Sequence, residues 1–204
     1  MHHLDMLDDG TLVIDPDKVM ARTGNRRCNG CTLCCKLLPI AADLGSEPKP
    51  AGKPCPQQRH GKGCAIYHDR PLECRMWSCQ WLLNPNDTAG LPRPDRAHYV
   101  IDPMPDTLRY HSDEAGIDET VLAIQVWIDP AFSEVAHDPA LRAYLAKKGA
   151  EGYPALLRWN QTEATAVFPP TLTGRDDWIE FRSNCNPGFG LYSMLPKYVQ
   201  ERLR

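Results

Sequence analysis

The apolar positions of this chain are ordered in its second half and scattered in its first. Residues 121–128, Val-Leu-Ala-Ile-Gln-Val-Trp-Ile, give the strongest strand signal, a β-branched and aromatic run interrupted only by Gln125. Residues 98–102 and 108–110 predict two strands before it. Residues 155–159, 164–168 and 178–181 predict three after it, the first two joined by a turn over 160–163. Trp127, Trp159 and Trp178 fall in these strands and read as core. The stretch 138–145 has a different period: Asp138 is placed to cap, Pro139 suits a first helical turn, and Leu141 and Leu145 recur at helical spacing, with Gly149 and Gly152 to end the helix. A closing helix is predicted over 191–203.

Before residue 95 the pattern is weaker. Residues 11–20 read as a short strand and turn, and 31–40 as a short helix stopped by Pro39. Residues 43–63, rich in Gly, Pro, Lys and Ser, show no periodicity and read as loop. Residues 63–67 are extended. Asp69 and Pro71 then announce a helix over 72–83 that ends at Asn84-Pro85-Asn86. The reading is an α+β protein in two parts: an irregular, metal-stapled, cysteine-rich region over 1–95 and a small α+β domain of undefined role over 96–204.

A net charge of −3 argues against an electrostatic grip on nucleic acid or anionic lipid. No stretch approaches the roughly 20 apolar residues of a membrane helix. The first ten residues carry acidic groups where a signal peptide has a basic region, so a cytoplasmic setting is expected. No nucleophile elbow, phosphate loop or dinucleotide fingerprint is present, and Asp113, Glu114, Asp118 and Glu119 read as a solvated loop.

The chemistry lies in the cysteines. Of nine, eight fall between Cys28 and Cys79: Cys28, Cys31, Cys34, Cys35, Cys55, Cys64, Cys74 and Cys79. Thiolates at C-x-x-C spacing close on one soft metal centre because the two intervening residues turn the chain back. A disulfide framework suits neither the odd count nor the expected compartment. Isolated Cys185 reads as a buried or surface thiol. Nineteen prolines crowd the segments between the thiols, so a metal would replace much of the hydrophobic core there.

The blocks Cys28-x-x-Cys31-x-x-Cys34-Cys35, Pro54-Cys55-Pro56 and Gly63-Cys64-Ala-Ile66-Tyr67-x-x-Arg70-Pro71-x-x-Cys74-Arg75 occur in the order of the YkgJ-like cysteine-cluster family, which this stretch closely resembles. That family is described as a zinc- or iron-chelating domain, and a related cluster occurs in flagellin lysine N-methylases. The resemblance covers residues 28–81; Cys79 extends the usual pattern. It leaves the metal open. C-x-x-C-x-x-C is the ligand rhythm of bacterial ferredoxins, which favours an iron–sulfur cluster; zinc, with its commoner paired C-x-x-C ribbons, is the alternative. Eight thiols allow one centre with spare ligands or two centres, and the adjacent Cys34 and Cys35 do not readily serve one ion.

Arg70, Arg75 and Lys36 are placed to offset the net negative charge of a four-thiolate centre, and Tyr67 and Trp77 to screen it from water. His60 and His68 are weaker ligand candidates. The function expected is a metal-binding protein using its centre for electron transfer or structural support, with a protein or small-molecule partner for the second domain. A zinc-stabilised interaction module and a metal-dependent methylase or redox enzyme are the alternatives.

Overall fold

The run with the strongest strand signal is the spine of the main sheet. A computed structural model describes residues 4–6, 12–14, 25–40, 47–71, 74–75, 77–112 and 117–184. Strands β1 (Leu4–Met6) and β2 (Leu12–Ile14) pair antiparallel. Helix α1 (Leu33–Leu37) and the hairpin of β3 (Gln58–Arg59) and β4 (Gly63–Cys64) follow. Two single-turn helices, α2 (Gln80–Leu83) and α3 (Pro94–Ala97), lead into β5 (Tyr99–Ile101), β6 (Asp106–Ser112) and β7 (Ile117–Ile128). A 3-10 segment (Pro130–His137) and α4 (Pro139–Ala150) cross to β8 (Ala155–Arg158), then β9 (Glu163–Phe168), the short α5 (Pro170–Thr173) and β10 (Ile179–Asn184). The protein is α+β.

The sheet order is β10-β9-β8-β7-β5, with β6 also on β7; only the β7–β8 pair is parallel, as the helical crossover requires. Strands β5 and β6 run along the same partner. Ile101 faces Val126 and Asp106 faces Ala123, so four residues bulge out opposite two. Pro103 and Pro105 lie in that break, where their missing N–H groups cost no ladder bonds.

Period-two alternation gives the sheet two buried faces. On one, Tyr99, Ile101, Val126, Ile128, Leu157 and Val167 pack against Leu141, Tyr144 and Leu145 of α4. Asp138 caps α4 as expected, accepting from Leu141 N at 2.9 Å. The helix runs through Gly149, and the chain reverses at Gly152, which takes φ +96°. On the other face, Val100 and Trp127 are covered by Leu33, Leu37, Cys79 and Leu82, so the cysteine-rich region forms a third layer.

Three expectations are corrected. The helix over 72–83 is interrupted: residues 74–75 are helical, 77–79 are not, and Cys79 is extended (φ −67°, ψ 156°) before α2 begins. An unbroken helix would put Trp77 and Trp81 on one stripe; here Trp77 donates to Asp102 at 3.0 Å and Trp81 to Leu91 O at 3.2 Å. Asp118 and Glu119 belong to β7, opposite His111 and Tyr110, because β6 pairs with the strand's first half. The small β3–β4 hairpin arises inside and just beyond the stretch read as loop. The predicted helix over 191–203, Cys185, Asp113 and Glu114 lie outside the described residues. Among the described residues no helix is long and apolar enough to cross a membrane.

Candidate metal centre

The first cysteine block is a turn feeding a helix. Cys31 N donates to Cys28 O at 2.8 Å, closing the C-x-x-C reversal, with Asn29 at φ 44° between them. Cys34 and Cys35 lie within α1. Successive helical residues point about 100° apart, so the two thiols diverge: Cys34 packs against the apolar cluster under the sheet, and Cys35 is not part of that cluster. Cys28 and Cys31 join Cys34 there, around buried Cys79.

The next blocks return to the same place through the main chain. Cys55 N donates to Cys35 O at 3.0 Å and Gln58 N to Cys55 O at 2.9 Å. Gln58 then stands opposite Cys64 in the hairpin. The hairpin is pressed onto the first turn. A Cβ on Gly30 would sit 2.3 Å from Gly61 O, and one on Gly63, at φ +95°, would sit 2.6 Å from Asn29 O. Both positions exclude a side chain.

The electrostatics are those of thiols crowded out of water. Burial, then the neighbouring Cys31, pushes the Cys28 thiol up; burial also raises Cys31, and it pushes Cys79 up to about 12. Cys34 is raised because its S–H donates to Cys35 and because it is buried. That same hydrogen bond, helped by Lys49 and Arg70, brings Cys35 down to about 7. Cys35 is thus the thiol most ready to ionise.

Positive charge surrounds them. Lys49, only 8% exposed, is the least expected cation. Among the described residues its ammonium donates to the carbonyls of Lys36 (3.4 Å), Pro50 (3.3 Å) and Lys53 (2.9 Å), and it faces Cys55, Cys35, Cys34 and Cys74. Burial lowers its pKa against the pull of those four thiols. Arg26 stacks 4.4 Å over Trp81, donates to Thr88 Oγ1 at 2.6 Å and lies near Cys79. Arg93, paired with Asp95 at 2.6 Å, lies near Cys31 and Cys28. These three were missed because none adjoins a cysteine block in the way Arg70 and Arg75 do. The bridge of Ile40 to Lys49, which turns the lysine inward, is a tertiary pairing.

Of the cations singled out in the sequence, Arg70 donates to Tyr67 O at 2.7 Å, stacks 3.8 Å over the Tyr67 ring and faces Cys28 and Cys35. Arg75 is exposed. Lys36 is committed elsewhere, bound at 2.6 Å to buried Asp129, which also accepts from Ala131 N at 3.2 Å. Trp77 packs against the cluster holding Cys28, Cys31 and Cys34, whereas Tyr67 is exposed and carries Arg70. His60 and His68 are exposed, His98 stacks on Phe132 at 3.6 Å, and His137 meets Arg142 at 3.0 Å.

As the side chains stand, no group of three or more His, Cys, Asp or Glu among the described residues is arranged to hold a metal ion. The thiols are gathered but not closed on a common point. A shallow surface groove of about 490 Å³, lined by His137, Arg142, Asp177, Trp178 and Glu180, lies on another part of the molecule. Arg142 within it is engaged by Ala136 O at 2.7 Å, Glu180 at 2.6 Å and the Trp178 ring at 4.6 Å. Compared with models of protein families, with curated proteins and with solved structures, the chain matches none.

Proposed function

We propose that the cysteine-rich region holds a cysteine-ligated metal centre, an iron–sulfur cluster ahead of zinc, serving electron transfer or structural support in a reducing cytoplasmic setting. The observation that carries this is buried Lys49. A cation removed from water needs anions near it. Among the described residues this one is bonded to carbonyls and faced by Cys34, Cys35, Cys55 and Cys74. Thiolates so gathered in turn repel one another unless a metal or cluster offsets their charge. The donor set fits: eight soft thiols from separate chain segments, with Lys49, Arg70, Arg93 and Arg26 around them.

The resemblance to YkgJ-like cysteine-cluster proteins rests on the cysteine blocks alone and points the same way. The ferredoxin-like ligand rhythm favours iron–sulfur. A bound cluster would supply a one-electron couple. The chain supplies thiolates, compensating charge and, through Trp77 and the apolar cluster, exclusion of water. Zinc is the second reading, favoured by the packing of Cys28, Cys31, Cys34 and Cys79 into one apolar cluster, as in a closed structural site.

The test is iron, acid-labile sulfide and zinc analysis of anaerobically purified full chain, with its visible spectrum. Iron and sulfide with thiolate-to-iron absorption are expected. Colourless protein carrying zinc would overturn the iron–sulfur assignment, and protein carrying neither metal would overturn the whole reading.

A further inference from the structure

We infer that the eight thiols form two separate four-cysteine centres, an inner one of Cys28, Cys31, Cys34 and Cys79 and an outer one of Cys35, Cys55, Cys64 and Cys74. The inference rests on the metal-binding reading above and goes beyond it by dividing the ligands. The inner four share one apolar environment: Cys79 is buried among Leu33, Leu37, Leu82, Val100 and Trp127, and Cys28, Cys31 and Cys34 pack against that cluster. The other four do not belong to it. They are joined instead through the main chain, by Cys55 N to Cys35 O, Gln58 N to Cys55 O and the pairing of Gln58 with Cys64, while Lys49 faces Cys35, Cys55 and Cys74.

The adjacent pair is where the sets part. Helical geometry sends the Cys34 and Cys35 side chains in directions about 100° apart, so one thiol turns under the sheet and its neighbour toward the hairpin. The Cys34 S–H bond to Cys35 bridges the two sets. Four thiols apiece match the count of a tetrahedral zinc site or of the four corners of one cubane cluster. The close approaches at Gly30 and Gly63 hold the turn of the inner set against the hairpin of the outer set.

The test counts metal per anaerobically purified full-length chain in single and double cysteine-to-serine variants. Serine is nearly isosteric but a poor ligand for a soft metal. Cys31→Ser and Cys55→Ser should each lose about half the wild-type metal, and Cys28→Ser/Cys31→Ser should lose no more than Cys31→Ser, whereas Cys31→Ser/Cys55→Ser should lose all of it. Half-buried Cys31 and Cys28 are chosen over buried Cys79 so that the inner set is probed with less risk to folding. Loss of all metal in either single variant would show one shared centre and overturn the division. Full retention in either would mark a spare thiol and overturn it too. Wild-type protein without metal would overturn the underlying reading, a result distinguishable from both.

Discussion

Asp102 should make the protein less stable as pH rises through the acid range. As a residue it is half-buried, but its carboxylate turns inward at the β5–β6 break, accepting from Trp77 Nε1 and Met104 N, each at 3.0 Å. The Trp127 indole faces the same group without closing a full hydrogen bond. Burial is the largest influence and raises the carboxyl from 3.8 to about 6; the donors pull it down, and nearby Asp106 adds to the rise. The sign follows from proton uptake. Between about pH 4 and 6 the folded chain holds a proton that the unfolded chain has lost, so stability is fullest below the unfolded value and is lost as pH climbs through the folded one. The full span is about 3 kcal/mol, of which about 1 kcal/mol falls between pH 5 and 7. Asp102→Asn keeps an oxygen to accept from Trp77 and Met104 and removes the titration. Chemical denaturation of both proteins at pH 5, 6 and 7 should show the wild type losing about 1 kcal/mol relative to the variant, or about 2–4 °C in Tm for a chain of this size. A wild-type-to-variant difference that stays constant over that range would refute the reasoning.

Two further substitutions test the packing. Arg158→Met should cost about 3–5 kcal/mol by denaturant titration, because Arg158 and Asp106 form a buried ion pair and the carboxylate would be left alone; adding Asp106→Leu should recover much of the loss, and a single-variant cost under about 1 kcal/mol would refute the pair's role. Gly63→Ala should lower Tm by about 4–8 °C, since φ is +95° and the new Cβ would meet the Asn29 carbonyl; Gly90→Ala, in open space without a positive φ, should leave Tm unchanged, and equal effects would refute the contact.

The sequence was most legible where local and tertiary demands agree. The run at 121–128 is β-branched and central, and Asp138-Pro139 starts its helix with chemistry local to that turn. It was least legible where a distant partner decides. Nothing near Trp77 says that its indole must reach Asp102, and that reach accompanies the break in the helix expected over 72–83. The cysteine clustering was plain, but its division was not: Cys34 and Cys35 differ only in the direction the helix gives them. Lys49 read as loop composition because its burial comes from the bridge to Ile40 and from carbonyls of three segments. Charges flanking a motif are easy to see in a sequence; charges folded onto it are not.

The ties between the thiol layer and the sheet bear on what a metal would do here. Lys36 neutralises buried Asp129, Trp77 donates to Asp102, and Ala51 N donates to Gln161 Oε1 at 3.2 Å. The cover over Val100 and Trp127 comes from Leu33, Leu37, Cys79 and Leu82, all of them between or beside cysteines. A centre that closes the thiols would therefore fix that cover in place. Its loss would not be local: if the layer lifts, Asp129 loses its cation, Asp102 loses a donor, and the second face of the sheet meets water. Folding of the sheet and closure of the thiols are on this account one cooperative event, because the buried acids of the second part are satisfied by groups that the first part holds out to them.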